Sequence, residues 1–120
     1  MTVVANLLVG LVAALHAYFL VLEMFLWTAP RTRAGFGITA EFAESSKALA
    51  ANQGLYNGFL AAALVWGLIA SDPTGFQLKL YGVVCVIVAG LYGAATASKR
   101  ILLVQVLPGG LALVALLLAR

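Results

Sequence analysis

The chain has 120 residues, of which 64% are hydrophobic and only 9% are charged, and its mean hydropathy is +1.09. This composition excludes an ordinary water-soluble domain and indicates an integral membrane protein. The net charge of +3 needs no nucleic acid to explain it, because membrane topology and lipid headgroups account for basic residues beside apolar segments. One histidine and one cysteine are too few for a zinc site, and the single cysteine, Cys85, has no partner within the chain for a disulfide.

Four apolar segments are long enough to cross a bilayer, whose core requires about 20 residues of helix. We therefore expect an all-α fold, a four-helix bundle that forms one transmembrane domain over residues 1–120. The helices are expected at about residues 2–28, 40–70, 76–98 and 101–119.

The basic residues are unevenly distributed among the connections between these helices. The first and third connections are rich in Lys and Arg, whereas the opposite side carries only Lys79 and Arg120, against Asp72. Because connections rich in Lys and Arg stay in the cytoplasm, we expect both termini to lie on the non-cytoplasmic side. The cytoplasmic basic residues are then Arg31, Arg33, Lys47, Lys99 and Arg100.

The first helix carries two ionisable residues, His16 and Glu23. They are seven positions apart and therefore lie on nearly the same helix face, with Trp27 one turn further. An ionisable residue inside a membrane is a functional-site hypothesis by default. The structural alternatives are a neutral imidazole bonded to a neighbouring helix and a Glu23 carboxylate paired with a cation. The candidate cations are Arg31, Arg33, Lys99 and Arg100.

The first connection begins at Pro30, which the interior of a helix tolerates poorly, and it contains Gly35 and Gly37. We expect the first helix to stop before Pro30. Thr39 is expected to cap the second helix, and acidic residues in the turns that follow suit the positive end of the helix dipole.

The second helix contains the most polar stretch within an apolar segment, AANQGLYNGFL at residues 50–60. At 100° per residue, Asn52 pairs with Tyr56 and Gln53 pairs with Asn57, so all four share one broad stripe. Unpaired carboxamides in hydrocarbon are costly, and we expect these side chains to face a cavity rather than to join helices. The GxxxG spacing of Gly54 and Gly58 indicates close helix packing.

The remaining connections are short. The turn at residues 71–75 requires the second and third helices to be antiparallel neighbours, and Pro108 is expected to kink the fourth helix. Most polar residues inside the helices fall in the predicted cytoplasmic half, which indicates a polar cavity there for a lipophilic or anionic small molecule. The candidate ligand-binding residues are Glu23, Arg31, Arg33, Asn52, Gln53, Tyr56, Asn57, Tyr92, Arg100 and Gln105.

Three stretches carry a resemblance to a known family: HAYFLVLEMFLW, NQGLYNGFLAA and YGAATASKRILLVQVLPGG. Over nearly its whole length the chain resembles an uncharacterised family of small bacterial membrane proteins with four helices. The resemblance implies a multi-pass protein of the bacterial inner membrane, and it supplies no activity.

At a greater distance the layout resembles MAPEG, the membrane-associated proteins in eicosanoid and glutathione metabolism. This resemblance implies a trimer with glutathione or a similar low-molecular-weight thiol between subunits, and a thiol-dependent transferase or isomerase activity. The chain departs from the MAPEG pattern in its second helix, where Ser45 follows Glu44 and Gln53 stands near the position of a carboxylate. The matching residues are Arg31, Arg33, Asn52, Gln53, Tyr56, Arg100, Gln105 and Pro108.

Three readings remain open from the sequence. The first is a MAPEG-like enzyme or binding protein whose arginines hold the carboxylates of a peptide-like thiol. The second is a small transporter or channel subunit in which His16 and Glu23 form an intramembrane relay. The third is a membrane bundle subunit without chemistry, whose polar residues fix helix pairing. Four short helices with small-residue faces also predict a homo-oligomer, with a trimer favoured.

Overall fold

The computed structural model describes all 120 residues and contains helices without any strand. This confirms the all-helical expectation, which follows from long runs of Ala, Leu and Val interrupted by Pro and Gly only at a few points. The helices are α1 (Thr2–Met24), α2 (Pro30–Phe36), α3 (Ala40–Ile69), α4 (Thr74–Thr96) and α5 (Leu107–Ala119), the last preceded directly by a π-helical turn at Leu102–Val106.

Three stretches are long and apolar enough to cross a membrane: Thr2–Met24, Thr74–Thr96 and Leu102–Ala119. They coincide with the first, third and fourth expected spans. Helix α3 has 30 residues, but it is not among the three. The reason lies in its composition, because Asn52, Gln53 and Asn57 lower the hydropathy of its central part. Four membrane crossings therefore remain a prediction.

The segment after α1 differs from expectation. Helix α1 ends at Met24 rather than near residue 28, and the expected loop contains the short helix α2, which starts at Pro30. Proline is well suited to the first turn of a helix, since its missing N–H would be unpaired there in any case. Gly37 ends α2 in the left-handed conformation, with φ of 67°. The expected cap is confirmed: the Phe42 N–H donates to Thr39 Oγ1 at 3.1 Å.

The chain divides into two compact units, one formed by residues 1–14 and 61–120 and the other by residues 15–60. In the first unit, α4 packs against α5 and against the π-helical turn. Val83 and Val86 of α4 and Ala112, Ala115 and Leu116 of α5 are buried there. A Cβ on Gly109 would lie 3.2 Å from Val86 Cγ1, so the absence of a side chain allows the two helices to approach closely.

The π-helical turn stands directly before Pro108. The Leu107 N–H donates to the carbonyl of Leu102, one residue further back than in an α-helix. A proline ring clashes with the carbonyl four residues earlier in a regular helix, and the widened turn is placed where it relieves that clash. The sequence predicted a distortion at Pro108, and the distortion takes this form.

The other end of the first unit contains the turn between α3 and α4. The Phe76 N–H donates to Asp72 Oδ1 at 3.1 Å, so Asp72 caps the start of α4. A Cβ on Gly67 would lie 3.0 Å from the backbone nitrogen of Lys79. The two helices are therefore in close contact beside the turn.

Candidate functional site

Helix α1 buries one narrow stripe of its surface. The buried positions Val9, Val12, His16 and Glu23 repeat at intervals of three, four and seven residues, which is the spacing of one helix face. His16 is fully buried and Glu23 is only 4% exposed. The prediction that these two ionisable residues share a face is confirmed by their burial.

Within the second unit, residues 15–60, Glu23 of α1 accepts hydrogen bonds from two carboxamide side chains of α3. Gln53 Nε2 donates to Glu23 Oε2 at 2.6 Å, and Asn57 Nδ2 donates to Glu23 Oε1 at 2.5 Å. Gln53 and Asn57 are four positions apart, so they project from one side of α3 on successive turns. We call Glu23, Gln53 and Asn57 the carboxylate cluster.

Two glycines allow the carboxylate cluster to form. A Cβ on Gly54 would lie 2.8 Å from Met24 Cγ, 3.0 Å from Glu23 Cβ and 3.2 Å from the Leu20 carbonyl oxygen. A Cβ on Gly58 would lie 2.5 Å from Leu20 Cδ1. The α3 backbone therefore passes directly over α1, which brings the short Asn57 side chain within reach of Glu23. The packing interpretation of the GxxxG spacing is confirmed.

The electrostatic character of the carboxylate cluster differs from what the sequence indicated. The sequence predicts a cation as one possible partner of Glu23, whereas both of its carboxylate oxygens accept hydrogen bonds from neutral amides. Among the expected cations, Arg31 is exposed, and Arg33 Nε donates to the Thr28 carbonyl at 3.2 Å. A carboxylate offers about four acceptor positions, and the two amides occupy two of them.

The contacts of Gln53 and Asn57 also differ from the expectation that they would face a cavity. Their amide groups bind a side chain of another helix. The sequence contains part of the signal for this partnership, because Glu23 is a carboxylate inside an apolar segment and α3 carries the carboxamides Asn52, Gln53 and Asn57. The N–H groups of a carboxamide can donate hydrogen bonds to a carboxylate although the carboxamide itself carries no charge.

A second contact in the same unit involves a residue that the sequence analysis did not single out as a site. Trp27 Nε1 donates to Ser46 Oγ at 3.1 Å, and the Ser46 hydroxyl donates to the Phe42 carbonyl at 2.6 Å. The Trp27 ring also packs edge-to-face on Phe36, with 5.0 Å between ring centroids. Trp27 thus connects both α2 and the first turns of α3 to the segment that follows α1. An indole N–H at the end of an apolar helix usually has such a polar partner.

The stripe predicted on α3 is divided by the structure. Gln53 and Asn57 donate hydrogen bonds to Glu23, whereas the side chains of Asn52 and Tyr56 form no hydrogen bond within the chain. Exposure does not separate the pairs, because Gln53 is exposed as well as Asn52 and Tyr56. The Tyr56 ring packs edge-to-face on Phe59, with 5.5 Å between centroids. All four residues lie within a broad arc of the helix, but only half of that arc meets α1.

The other candidate ligand-binding residues belong to the first unit. Tyr92 is 72% exposed, and its carbonyl accepts a hydrogen bond from Thr96 Oγ1 at 2.7 Å. Arg100 is exposed and Gln105 is half-buried, with its Oε1 3.4 Å from the position of a Cβ on Gly90. Of the ten candidates, the structure joins Glu23, Gln53 and Asn57 to one another by hydrogen bonds. A shared site for a glutathione-like ligand stays a prediction.

Comparison with known proteins is consistent with this picture of a small helical protein. Residues 10–117 match the family model described as "Protein of unknown function (DUF1304)". The chain is 34% identical over 119 residues to the uncharacterized protein YpaA of Lactococcus lactis subsp. lactis strain IL1403, with 98% of this chain and 97% of that protein covered. No solved structure matches the chain. The family resemblance read from the sequence is therefore confirmed, and the chain belongs to the DUF1304 family.

Proposed function

We propose that this protein is a non-enzymatic, multi-pass subunit of a homo-oligomer in the bacterial cell membrane, and that the carboxylate cluster fixes α1 to α3. The observation that carries the proposal is the divided stripe of α3. Gln53 and Asn57 bind Glu23 within the chain, whereas the exposed Asn52 carboxamide on the same helix has no hydrogen-bond partner within the chain. One part of the polar stripe is used within the subunit, and the other part remains available.

The exposed part of the stripe places one carboxamide among large apolar side chains. Asn52 lies among large apolar side chains, of which Leu49 is 77%, Tyr56 63% and Phe59 56% exposed. A carboxamide surrounded by lipid has unpaired donors and acceptors. A second copy of the helix supplies matching groups, since Asn residues form hydrogen bonds across helices in membranes.

Cysteine cross-linking tests this assignment. Asn52→Cys is placed in a Cys85→Ser background, so that the chain has one thiol, and membranes are oxidised before electrophoresis. We expect a cross-linked dimer band for Asn52→Cys. The matched control is Leu103→Cys, which is 69% exposed in the other unit and which we expect to remain monomeric. Cross-linking of the control to the same extent, or no cross-linking of Asn52→Cys, would exclude this face as the interface.

The number of copies requires a separate measurement. We propose a trimer, as the MAPEG-like layout implies, and native mass spectrometry in a mild detergent measures it directly. The Asn52→Leu variant should shift the population toward monomer while its helix content stays that of the wild type. A wild-type protein that is monomeric throughout would contradict the proposal.

A second candidate function has one specific observation in its favour. His16 and Glu23 are both buried on α1, a helix apolar enough to cross a membrane. Seven residues of helix correspond to about 10 Å, a separation that a short chain of water molecules spans. In this reading a proton passes between the His16 imidazole and the Glu23 carboxylate within the membrane.

Proteoliposomes that contain a pH-sensitive dye distinguish the two functions. A relay predicts that the wild-type protein dissipates an imposed pH gradient and that Glu23→Gln, which has the same shape without the charge, does not. Glu41→Gln is the control, because Glu41 is an exposed residue in the first turn of α3. The subunit function predicts no protein-dependent flux for any of the three proteins.

A further inference from the structure

The first unit contains a cavity whose lining includes no residue of the carboxylate cluster. Its volume is about 320 Å³, and its lining includes Asn6 of α1, Asp72 of the α3–α4 turn, Phe76 and Lys79 of α4, and Leu116 and Arg120 at the end of the chain described here. All of these residues belong to the same unit. The lining combines charged groups with apolar walls.

The cavity is placed at one end of all three helical stretches that are apolar enough to cross a membrane. Thr2 begins the first stretch, the second stretch begins at Thr74, and the third stretch ends at Ala119. Thr2 and Ala119 themselves line the cavity. Residues at the ends of membrane-spanning helices lie at the level of the lipid headgroups.

Two cations at the cavity have no carboxylate partner within the chain. Lys79 Nζ donates to Asn6 Oδ1 at 2.9 Å, and an ammonium has two further donors. The Arg120 guanidinium lies over the Phe76 ring, 4.9 Å from its centroid, an arrangement that leaves its N–H groups at the rim available. The ion pair that the chain does form joins Lys47 to Glu44, in the other unit.

The Lys79 side chain is held in place along its length. Its Cγ would be 2.8 Å from a Cβ on Gly67, so the aliphatic part packs on that glycine while the ammonium reaches Asn6. The one acidic residue at the cavity, Asp72, uses Oδ1 to cap α4. The side chains that line the cavity therefore include two cations and one carboxylate.

We propose that this cavity binds the phosphate headgroup of an anionic phospholipid. Lys79 and Arg120 contact the phosphate, and the apolar walls formed by Phe76 and Leu116 contact the glycerol and the first acyl carbons. The ends of the apolar helices place the cavity at the level of the headgroups. Its two side-chain cations are suited to a phosphate, and its mixed lining is suited to an amphiphile. This site is independent of the carboxylate cluster and of the proposed oligomer interface.

Native mass spectrometry with added lipid tests the site. The purified protein is titrated with phosphatidylglycerol and, in parallel, with phosphatidylcholine, which has no net charge. We expect phosphatidylglycerol to bind more tightly to the wild type. Removal of both charges in Lys79→Gln/Arg120→Gln should weaken phosphatidylglycerol binding about 30-fold, from about fivefold per basic residue. Lys79→Arg retains the charge and should retain binding.

The matched control removes two positive charges elsewhere. Lys47→Gln/Lys99→Gln alters two exposed residues and should leave the preference for phosphatidylglycerol unchanged. An equal loss in this control would mean nonspecific attraction and would overturn the proposal. Inorganic phosphate is added as a competitor, and complete displacement of the lipid at millimolar phosphate would identify a site for a soluble anion instead.

One variant keeps the test decisive if the double variant does not fold. Arg120→Gln alters a residue whose guanidinium contacts the Phe76 ring, and circular dichroism establishes that the helices of the variant are intact. We expect about a fivefold loss of phosphatidylglycerol affinity for this variant. An unchanged affinity in a folded Arg120→Gln protein would refute the role of Arg120 and the site as proposed.

Discussion

Glu23 and Asn57 are 34 positions apart in the chain, and Asn57 Nδ2 donates to Glu23 Oε1 at 2.5 Å. Together with the Gln53 contact, this hydrogen bond engages both oxygens of a carboxylate that is 4% exposed. The pairing connects α1 to α3 through polar groups at a place where both helices are largely apolar. It also determines what substitutions in α3 are expected to do.

Asn57→Leu should destabilise the protein, whereas Asn52→Leu should not. Loss of the Asn57 amide leaves a Glu23 oxygen unpaired in a buried site, which costs about 1–3 kcal/mol. Within one subunit Asn52 is exposed, and substitution of a surface residue usually changes the free energy of unfolding by less than about 0.5 kcal/mol. The comparison therefore uses a detergent in which both variants are monomeric, because loss of subunit contacts by itself lowers apparent stability. Thermal or denaturant unfolding in one detergent measures both variants, and equal effects would contradict the role assigned to Glu23.

Simultaneous replacement of the whole carboxylate cluster should be less harmful than the single change. When all partners become apolar, no buried polar group is left unpaired, and the net effect can be close to zero. The free energy of unfolding of the triple variant Glu23→Leu/Gln53→Leu/Asn57→Leu should therefore be closer to the wild-type value than that of Asn57→Leu. Additive losses across the three positions would show that the residues act independently.

Gly54→Ala and Gly10→Ala should change the free energy of unfolding in opposite directions. A Cβ on Gly54 meets the Leu20 carbonyl oxygen, a backbone atom, at 3.2 Å and Met24 Cγ at 2.8 Å, whereas nothing lies within 4 Å of a Cβ on Gly10. Overpacking at Gly54 should cost about 1–3 kcal/mol. Alanine at Gly10 should stabilise α1 by about 0.5–1 kcal/mol, because glycine is the poorer helix former. Unfolding in the same detergent compares the two, and stabilisation by Gly54→Ala would show that α1 and α3 are not in close contact there.

The number of membrane crossings determines whether the two termini lie on the same side of the membrane. If α3 crosses, four crossings place both termini on one side, and the Lys and Arg distribution puts that side outside the cytoplasm. A reporter active only in the cytoplasm should then be silent at either terminus and active when inserted after Gly37, between α2 and α3. A signal at one terminus alone would mean three crossings, with α3 lying outside the set of spans.

Pro108→Ala should convert the π-helical turn into regular α-helix. With the ring removed, residue 108 regains an N–H and the clash with the preceding turn disappears. The Leu107 N–H, which now pairs with the Leu102 carbonyl, should pair with Leu103 instead. A structure of the variant, or NMR contacts between successive turns, measures the change. If the variant keeps the π-helical turn, Pro108 is not its cause, and the close packing of Gly90 against Val106 would explain it instead.

Several features of this protein follow from local sequence. Its helical character and its three highly apolar stretches follow from composition, because membrane-spanning segments must pair their backbone groups internally. The Thr39 cap depends on a neighbouring N–H three residues away, and the close approach at Gly54 depends on the absence of a side chain. Each of these is a property of one segment, and each was predictable from that segment.

The partner of Glu23 was decided by tertiary structure. The helical period places Asn52, Gln53, Tyr56 and Asn57 within one arc, and it does not specify how α3 is rotated about its own axis against α1. That rotation depends on the close contact of Gly54 and Gly58 with Leu20 and Met24, residues at least 30 positions away. Because the glycines face α1, Gln53 and Asn57 beside them reach Glu23, and Asn52 and Tyr56 remain exposed.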